Sequence, residues 1–313
     1  MFATSLRRGS FSRNVGVLIG GTAGAQGITL LASPLLSRLF SPSDFGHLAI
    51  FSSAMAIATA AATLRFEIAV PLAKRDGEAL SLVWLSVASS IIVALLLSVM
   101  VWMDPGHLTT KVTKGLLHGT SAFLFIGTIA TGCYQALSFW AIRKKRYKVL
   151  AQTRLSQSTA QVGLQLVCGL WNAGAIGLIL GDVAGRMAGC GRLARGIFHD
   201  QRTAEFAPKL GRFWRVAGKY RQFPLLSLPS ALLNVLGLQL PVLVLAAYYS
   251  ETAVGSFAFT HRLMAAPVTL LARSAGQVFI GEAATAVEDR ERLLRLFLKL
   301  TSTLLIVAAV PAL

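Results

Sequence analysis

Ala136-Leu137-Ser138-Phe139-Trp140-Ala141-Ile142-Arg143-Lys144-Lys145-Arg146-Tyr147-Lys148 carries the chain from a long apolar run straight into its densest cluster of positive charge. A change of that kind, at the end of a stretch long enough to cross a bilayer, is what the cytoplasmic end of a transmembrane helix looks like in sequence. The same pattern recurs along the 313 residues. About 20 residues of helix span the hydrocarbon, and nine stretches qualify: roughly 14–36, 45–64, 81–103, 117–140, 155–171, 174–191, 225–247, 252–272 and 296–313.

The basic residues between these stretches fall on alternate sides. One side takes Arg7, Arg8 and Arg13; Arg65, Lys74 and Arg75; the run from Arg143 to Lys148 with Arg154; eight residues from Arg192 to Arg221; and Arg273, Arg290, Arg292, Arg295 and Lys299. Together these are 25 of the 30 lysines and arginines. Arg38, Lys111 and Lys114 lie opposite, while Arg186 and Arg262 fall inside predicted helices. The positive-inside rule makes the rich side the cytoplasm and places the N-terminus there.

A mean hydropathy of +0.63 is too high for a soluble domain of this length. The net charge of +17 therefore reads as topology and as attraction to anionic lipid headgroups, with no nucleic acid implied. The first apolar run is too long for a cleavable signal and leads into further spans. Cys133, Cys168 and Cys190 are odd in number, without CxxC spacing, and inside spans, so no disulfide framework or zinc site is implied.

An internal repeat sharpens the organisation. Phe40-Ser41-Pro42-Ser43-Asp44-Phe45-Gly46-His47-Leu48-Ala49-Ile50 aligns without a gap on Tyr249-Ser250-Glu251-Thr252-Ala253-Val254-Gly255-Ser256-Phe257-Ala258-Phe259, at an offset of 209 residues. Both copies sit in a short turn after the first helix of a half, and an even number of helices intervenes, so the halves enter the membrane in the same orientation. The expected division is a six-helix lobe over 1–196, a basic linker over 197–222 and an incomplete second lobe over 223–313. A complete protein would then have roughly twice 209 residues, and the chain is expected to be a fragment or truncated product.

These segments resemble the polysaccharide repeat-unit flippases, Wzx-type proteins of the multidrug/oligosaccharidyl-lipid/polysaccharide exporter superfamily. The similarity rests on Leu36-Ser37-Arg38-Leu39-Phe40-Ser41-Pro42-Ser43-Asp44-Phe45-Gly46, on Leu64-Arg65-Phe66-Glu67-Ile68-Ala69-Val70-Pro71-Leu72-Ala73 followed by Glu78-Ala79, and on Trp140-Ala141-Ile142-Arg143 with the basic run behind it. The resemblance implies an all-α transmembrane bundle of two parallel lobes around a cavity, with twelve or more helices, of which about nine are here. It implies movement of polyprenyl-diphosphate-linked oligosaccharide units across the bacterial inner membrane for surface polysaccharide such as lipopolysaccharide. The partners implied are that lipid-linked oligosaccharide, membrane lipids, and the polymerase and chain-length machinery. A lipid II flippase, a cation-coupled exporter of the same superfamily and a truncated non-transporting membrane protein stand as alternatives.

Candidate cavity residues are the polar groups inside spans, where an unsatisfied charge or amide is expensive. Arg262 and His261 lie in the eighth stretch. Asp182 and Arg186 have the four-residue spacing of an intrahelical ion pair, which leaves Arg186 a structural or a cavity residue. Arg154, Gln157, Gln161 and Gln165 share one helical face, and so face inward, as sugar ligands or as helix-to-helix glue. Gln26, Asn234 and Gln239 have the same two readings. Arg65 and Glu67 are either a gate ion pair at the mouth or a solvated pair. Gly177, Gly181, Gly185 and Gly189, and likewise Gly16, Gly20 and Gly24, form ladders that let helix backbones approach. No hydrolase, zincin or P-loop motif is present, so no enzyme chemistry, cofactor or metal is expected.

Overall fold

The computed structural model describes residues 5–103, 116–198 and 210–261, with isolated positions 279, 294, 298, 301 and 302. Among them all regular structure is helical: α1 (Ser5–Leu39), α2 (Pro42–Ala62), a 3-10 turn (Phe66–Leu72), α3 (Asp76–Met103), α4 (Leu116–Gly119), α5 (Ser121–Arg143), α6 (Tyr147–Leu170), α7 (Gly174–Met187), α8 (Cys190–Phe198), α9 (Leu210–Lys219), a π-turn (Phe223–Ser227) and α10 (Leu228–Tyr248). A further helix, α11, covers residues 251–261.

The chain is a helical membrane protein. Among the described residues five helical segments are long and apolar enough to cross a bilayer: Gly16–Leu39, Pro42–Ala62, Asp76–Met103, Ser121–Arg143 and Phe223–Tyr248. Their outward faces are greasy. Ile91, Ile92, Leu95, Leu96 and Met100 on α3, and Leu233, Leu238 and Leu240 on α10, are exposed, as helices bathed in lipid require. The stretches expected at 155–171 and 174–191 form α6 and α7. The first starts earlier than expected and carries the polar stripe; the second is only 14 residues long, ending where Gly189 turns to a positive φ of 95°. The stretch at 252–272 is described to residue 261, and the one at 296–313 lies outside the described residues apart from isolated positions.

Local chemistry sets the helix ends. Ser41 caps α2: its hydroxyl accepts the Asp44 N–H at 3.2 Å while the Asp44 carboxylate accepts the Ser41 N–H at 2.9 Å, with Pro42 at the first helical position. At the other end of α2 the backbone turns through Leu64 and Arg65, both at positive φ, into the 3-10 turn. That turn ends with free carbonyls, and Arg143 at the end of α5 donates to those of Val70, Pro71 and Ala73. The same guanidinium meets the Asp76 carboxylate at 3.0 Å, and Lys144 meets it at 2.7 Å. The opening basic run thus begins with two residues that fasten α5 to the start of α3.

The core forms where α1, α2, α5, α6 and α7 converge, around Leu36, Phe40, Phe51, Met55, Leu124, Val162, Leu178 and Val183. Two helix pairs, α6 with α7 and α6 with α1, bring backbones unusually close. A methyl at Gly181 of α7 would lie 2.4 Å from Cγ of Gln165 and 2.9 Å from the carbonyl oxygen of Gln161; one at Gly185 would lie 2.8 Å from Cβ of Gln161, and one at Gly177 2.6 Å from Cβ of Cys168. The expected ladder on α7 is therefore a packing surface for α6. The ladder on α1 is one only in part: Gly16 and Gly20 face open space, a methyl at Gly24 would meet Leu155 of α6 at 3.0 Å, and the tightest position is Gly21, where a methyl would meet Cβ of Ala151 at 2.4 Å. A four-residue spacing drifts around a helix of 3.6 residues per turn, so α1 presents to α6 a glycine outside the chosen row.

Gly181→Ala is expected to lower stability by about 1–3 kcal/mol, because the added methyl overpacks a backbone contact. Gly163→Ala, with open space around it, is expected to be neutral or stabilising by up to about 1 kcal/mol from helix propensity. Thermal unfolding of the detergent-solubilised protein distinguishes the two.

Candidate functional site

A cavity of about 640 Å³ opens among α1, α2, α5, α6 and α7. Polar side chains line it, set among apolar surface, although the bundle's outside is apolar. Helix α1 contributes Thr22 and Gln26, one turn apart; α6 contributes Arg154, Gln157, Ser158 and Gln161; α7 contributes Asp182 and Arg186. These sets face one another because of the glycine contacts: α6 lies close against α7 at Gly181 and Gly185 and close against α1 at Gly21, which leaves the flanking polar side chains directed into the space between.

Of the residues singled out in the sequence, Gln26, Gln157, Gln161 and Arg186 line this cavity. Arg186 Nε donates to Asp182 Oδ2 at 2.8 Å, so the ion pair and the cavity wall are the same two residues. Gln165, the last member of the glutamine stripe, is elsewhere. It is 1% exposed and its amide donates to the Leu178 carbonyl at 3.0 Å. The stripe therefore divides: Gln157 and Gln161 face the cavity, while Gln165 holds α6 to α7.

His261 lies in a second, smaller pocket of about 210 Å³ between α2, α10 and α11, with Phe45, Ser52, Ser53, Gln239 and Phe259. There its ring stacks on Phe257 at 5.9 Å, and Gln239 accepts a hydrogen bond from Ser53 at 3.0 Å. Asn234 is exposed on α10 and lines neither space. Arg262 lies outside the described residues.

Arg65 and Glu67 form their pair at 3.6 Å, with the Glu67 side chain 1% exposed. A solvated pair would leave the carboxylate in water, so that reading fails. Glu67 also accepts a hydrogen bond from Thr63 and sits on the 3-10 turn below α2. Burial outweighs both the Thr63 bond and Arg65 and pushes its carboxyl above the usual range.

The sequence reading missed the contribution of α5. Thr131, Tyr134, Gln135 and Ser138 line the same cavity, joined by Thr59 of α2. Thr131, Gln135 and Ser138 are spaced i, i+4, i+7, a polar row of the kind that revealed α6, but weaker because only one of the three is an amide. The hydroxyls of Thr22 and Thr131 donate back to the carbonyls of Leu18 and Gly127, each at 2.7 Å, so they offer acceptor lone pairs to a ligand. Thr59 Oγ1, Gln135 Oε1 and Ser138 Oγ are buried without a protein partner. With two arginines, one carboxylate and four glutamine amides, the wall suits a hydroxyl-rich ligand bearing negative charge.

The family model described as "Polysaccharide biosynthesis protein" matches residues 35–313, and the chain belongs to that family. No curated protein and no solved structure matches it.

The raised Glu67 carboxyl has a consequence for stability. The fold binds this proton more tightly than the unfolded chain does, so its contribution is present below the ordinary value near 4.5 and is lost as the pH rises from there through the native value. The melting temperature of the wild type is expected to fall across that window, and the fall to be shallower in Glu67→Gln, measured in detergent at matched ionic strength.

Proposed function

We propose that this member of the polysaccharide biosynthesis protein family moves polyprenyl-diphosphate-linked oligosaccharide units from the cytoplasmic to the outer leaflet of the bacterial inner membrane by alternating access, with its N-terminus and basic loops in the cytoplasm. The observation that carries the reading is a cavity walled by amides, hydroxyls and arginines inside a bundle with an apolar exterior. An oligosaccharide crossing hydrocarbon would leave its hydroxyls and phosphates unsatisfied, at several kcal/mol for each. Glutamine amides replace the water around sugar hydroxyls, arginine matches phosphate oxygens with its planar fork, and the polyprenyl chain stays in lipid. The step breaks no covalent bond, so it is transport and not enzymatic catalysis.

The reading is favoured over a cation-coupled exporter because Asp182, the carboxylate in the cavity wall, is engaged by Arg186. A coupling ion or proton would have to compete with that guanidinium. Flanking basic segments, with eight lysines and arginines from Arg192 to Arg221, favour approach of an anionic lipid headgroup from the same side.

Deleting the gene is expected to abolish the surface polymer and leave lipid-linked repeat units on the inner leaflet; unchanged polymer and unchanged leaflet distribution would refute the function. In a complemented strain, Arg154→Ala or Gln161→Leu is expected to slow translocation on the order of ten-fold at normal membrane levels, the effect of losing one charge-assisted or buried hydrogen bond. Gln165→Leu should act differently, lowering thermal stability through the lost bond to Leu178.

A further inference from the structure

The two copies of the 209-residue repeat touch each other, and they touch reciprocally. Ser41 and Ser250 are equivalent positions, and each accepts the N–H three residues on: Asp44 at 3.2 Å, Ala253 at 3.4 Å. One turn further lie the equivalent glycines. A methyl added at Gly46 would sit 2.0 Å from the carbonyl oxygen of Glu251, and one added at Gly255 would sit 2.0 Å from the carbonyl oxygen of Pro42. Pro42 and Glu251 are themselves equivalent, so each contact is the image of the other. A second pair behaves alike. Phe45 meets Phe259 edge to face at 5.6 Å, and the image of that contact, Val254 with Ile50, lies in one buried cluster. When residue i meets j and the counterpart of j meets the counterpart of i, the two surfaces are related by a two-fold axis.

We infer that Gly46 and Gly255 are the two halves of a gate, closed in this structure, at the end of the interlobe space farthest from the basic loops. That this end faces outward rests on the function proposed above. Three observations support the assignment. The contact is backbone against backbone, with room for hydrogen and nothing larger, so glycine is needed for the closed arrangement and not for helix formation. Behind it, one to two turns along α2, lies the pocket holding Ser52, Ser53, Gln239 and His261, bounded on the gate side by Phe45 and Phe259. At the junction the glycine faces meet backbone and Phe45 meets Phe259, and behind them one side-chain hydrogen bond, Ser53 to Gln239, joins α2 to α10. A two-fold contact of this kind opens by a rigid swing of one repeat against the other.

The test uses the full chain with Cys133, Cys168 and Cys190 replaced by alanine and a single Ser52→Cys probe. A membrane-impermeant maleimide is added outside intact cells. Gly46→Val and Gly255→Val are each expected to raise the labelling rate about ten-fold or more, by overpacking the closed state and shifting the population to the open one. Because the two act on one contact, the double variant is expected to fall short of the product of the singles. Gly237→Val, where nothing lies within reach of an added methyl, should leave the rate unchanged.

A second measurement does not depend on the valine variants folding. A Phe45→Cys, Phe259→Cys pair held by a cleavable thiol cross-linker should stop translocation, and cleaving the linker should restore it. Unchanged labelling with both valine variants at normal membrane levels, or undiminished translocation with the pair cross-linked, overturns the gate. Faster labelling in a protein whose deletion leaves polymer and lipid intermediates untouched upholds the gate and removes the transported substrate proposed above.

Discussion

The close approach of α6 to α7 is the contact on which the polar interior depends. In a bundle surrounded by lipid there is no hydrophobic gain from pressing one apolar helix on another, so association relies on packing and on hydrogen bonds made inside. Gly177, Gly181 and Gly185 let the α6 backbone come within reach, and Gln165 then finds the Leu178 carbonyl. Once that register is fixed, the residues one and two turns earlier on α6 fall on one side of the seam together with Asp182 and Arg186. The cavity is thus a by-product of how tightly its walls are sewn together.

A different constraint governs the basic end. The 3-10 turn between α2 and α3 departs from regular helix, and its last carbonyls have no partner within the turn. Arg143 supplies one, and it also pairs with Asp76 together with Lys144. The basic cluster is consequently divided in its work: its first two residues are structural fasteners, and Lys145, Arg146 and Lys148 beyond them are exposed. A carboxylate at the first turn of α3 adds the favourable interaction expected at a helix N-terminus.

Membrane character and the positions of the described helices were legible from hydropathy because both are set by the bilayer and hold for any packing. What went astray was the side chains' assignment to neighbours. The stripe of Gln157, Gln161 and Gln165 correctly indicates an inward face, but its 3.6-residue period cannot separate the turn that meets α7 from the turns that meet the cavity. The α1 glycines show the same limit: their spacing is right for close approach, and the partner helix decides that Gly21 makes it. The row on α5 escaped notice because threonine and serine are tolerated in membrane helices by bonding their own backbone, as Thr131 does, so hydroxyls alone are a faint sign of a cavity. For Glu67 the sequence leaves a gate pair and a solvated pair both open, because the short 3-10 turn that buries it carries no periodic pattern.

The segment joining the repeats has a mechanical consequence. Helix α9 is held against the 3-10 turn and α3 by Val216 and, just past its end, Tyr220, which enter the cluster around Phe66 and Leu80, and by Lys219, which pairs with Glu78. Trp214 points outward, 78% exposed. Between this anchored helix and α10 there remain only a few residues, most of them in the π-turn Phe223–Ser227. The described end of the linker, from Leu210 on, is therefore no slack tether. Its last turns are bolted to α3 and the 3-10 turn, and any swing of α10 must be taken up at a pivot about one helical turn long, so that a small rotation there is geared into a much larger displacement at the far end of the helix, beside Gly255.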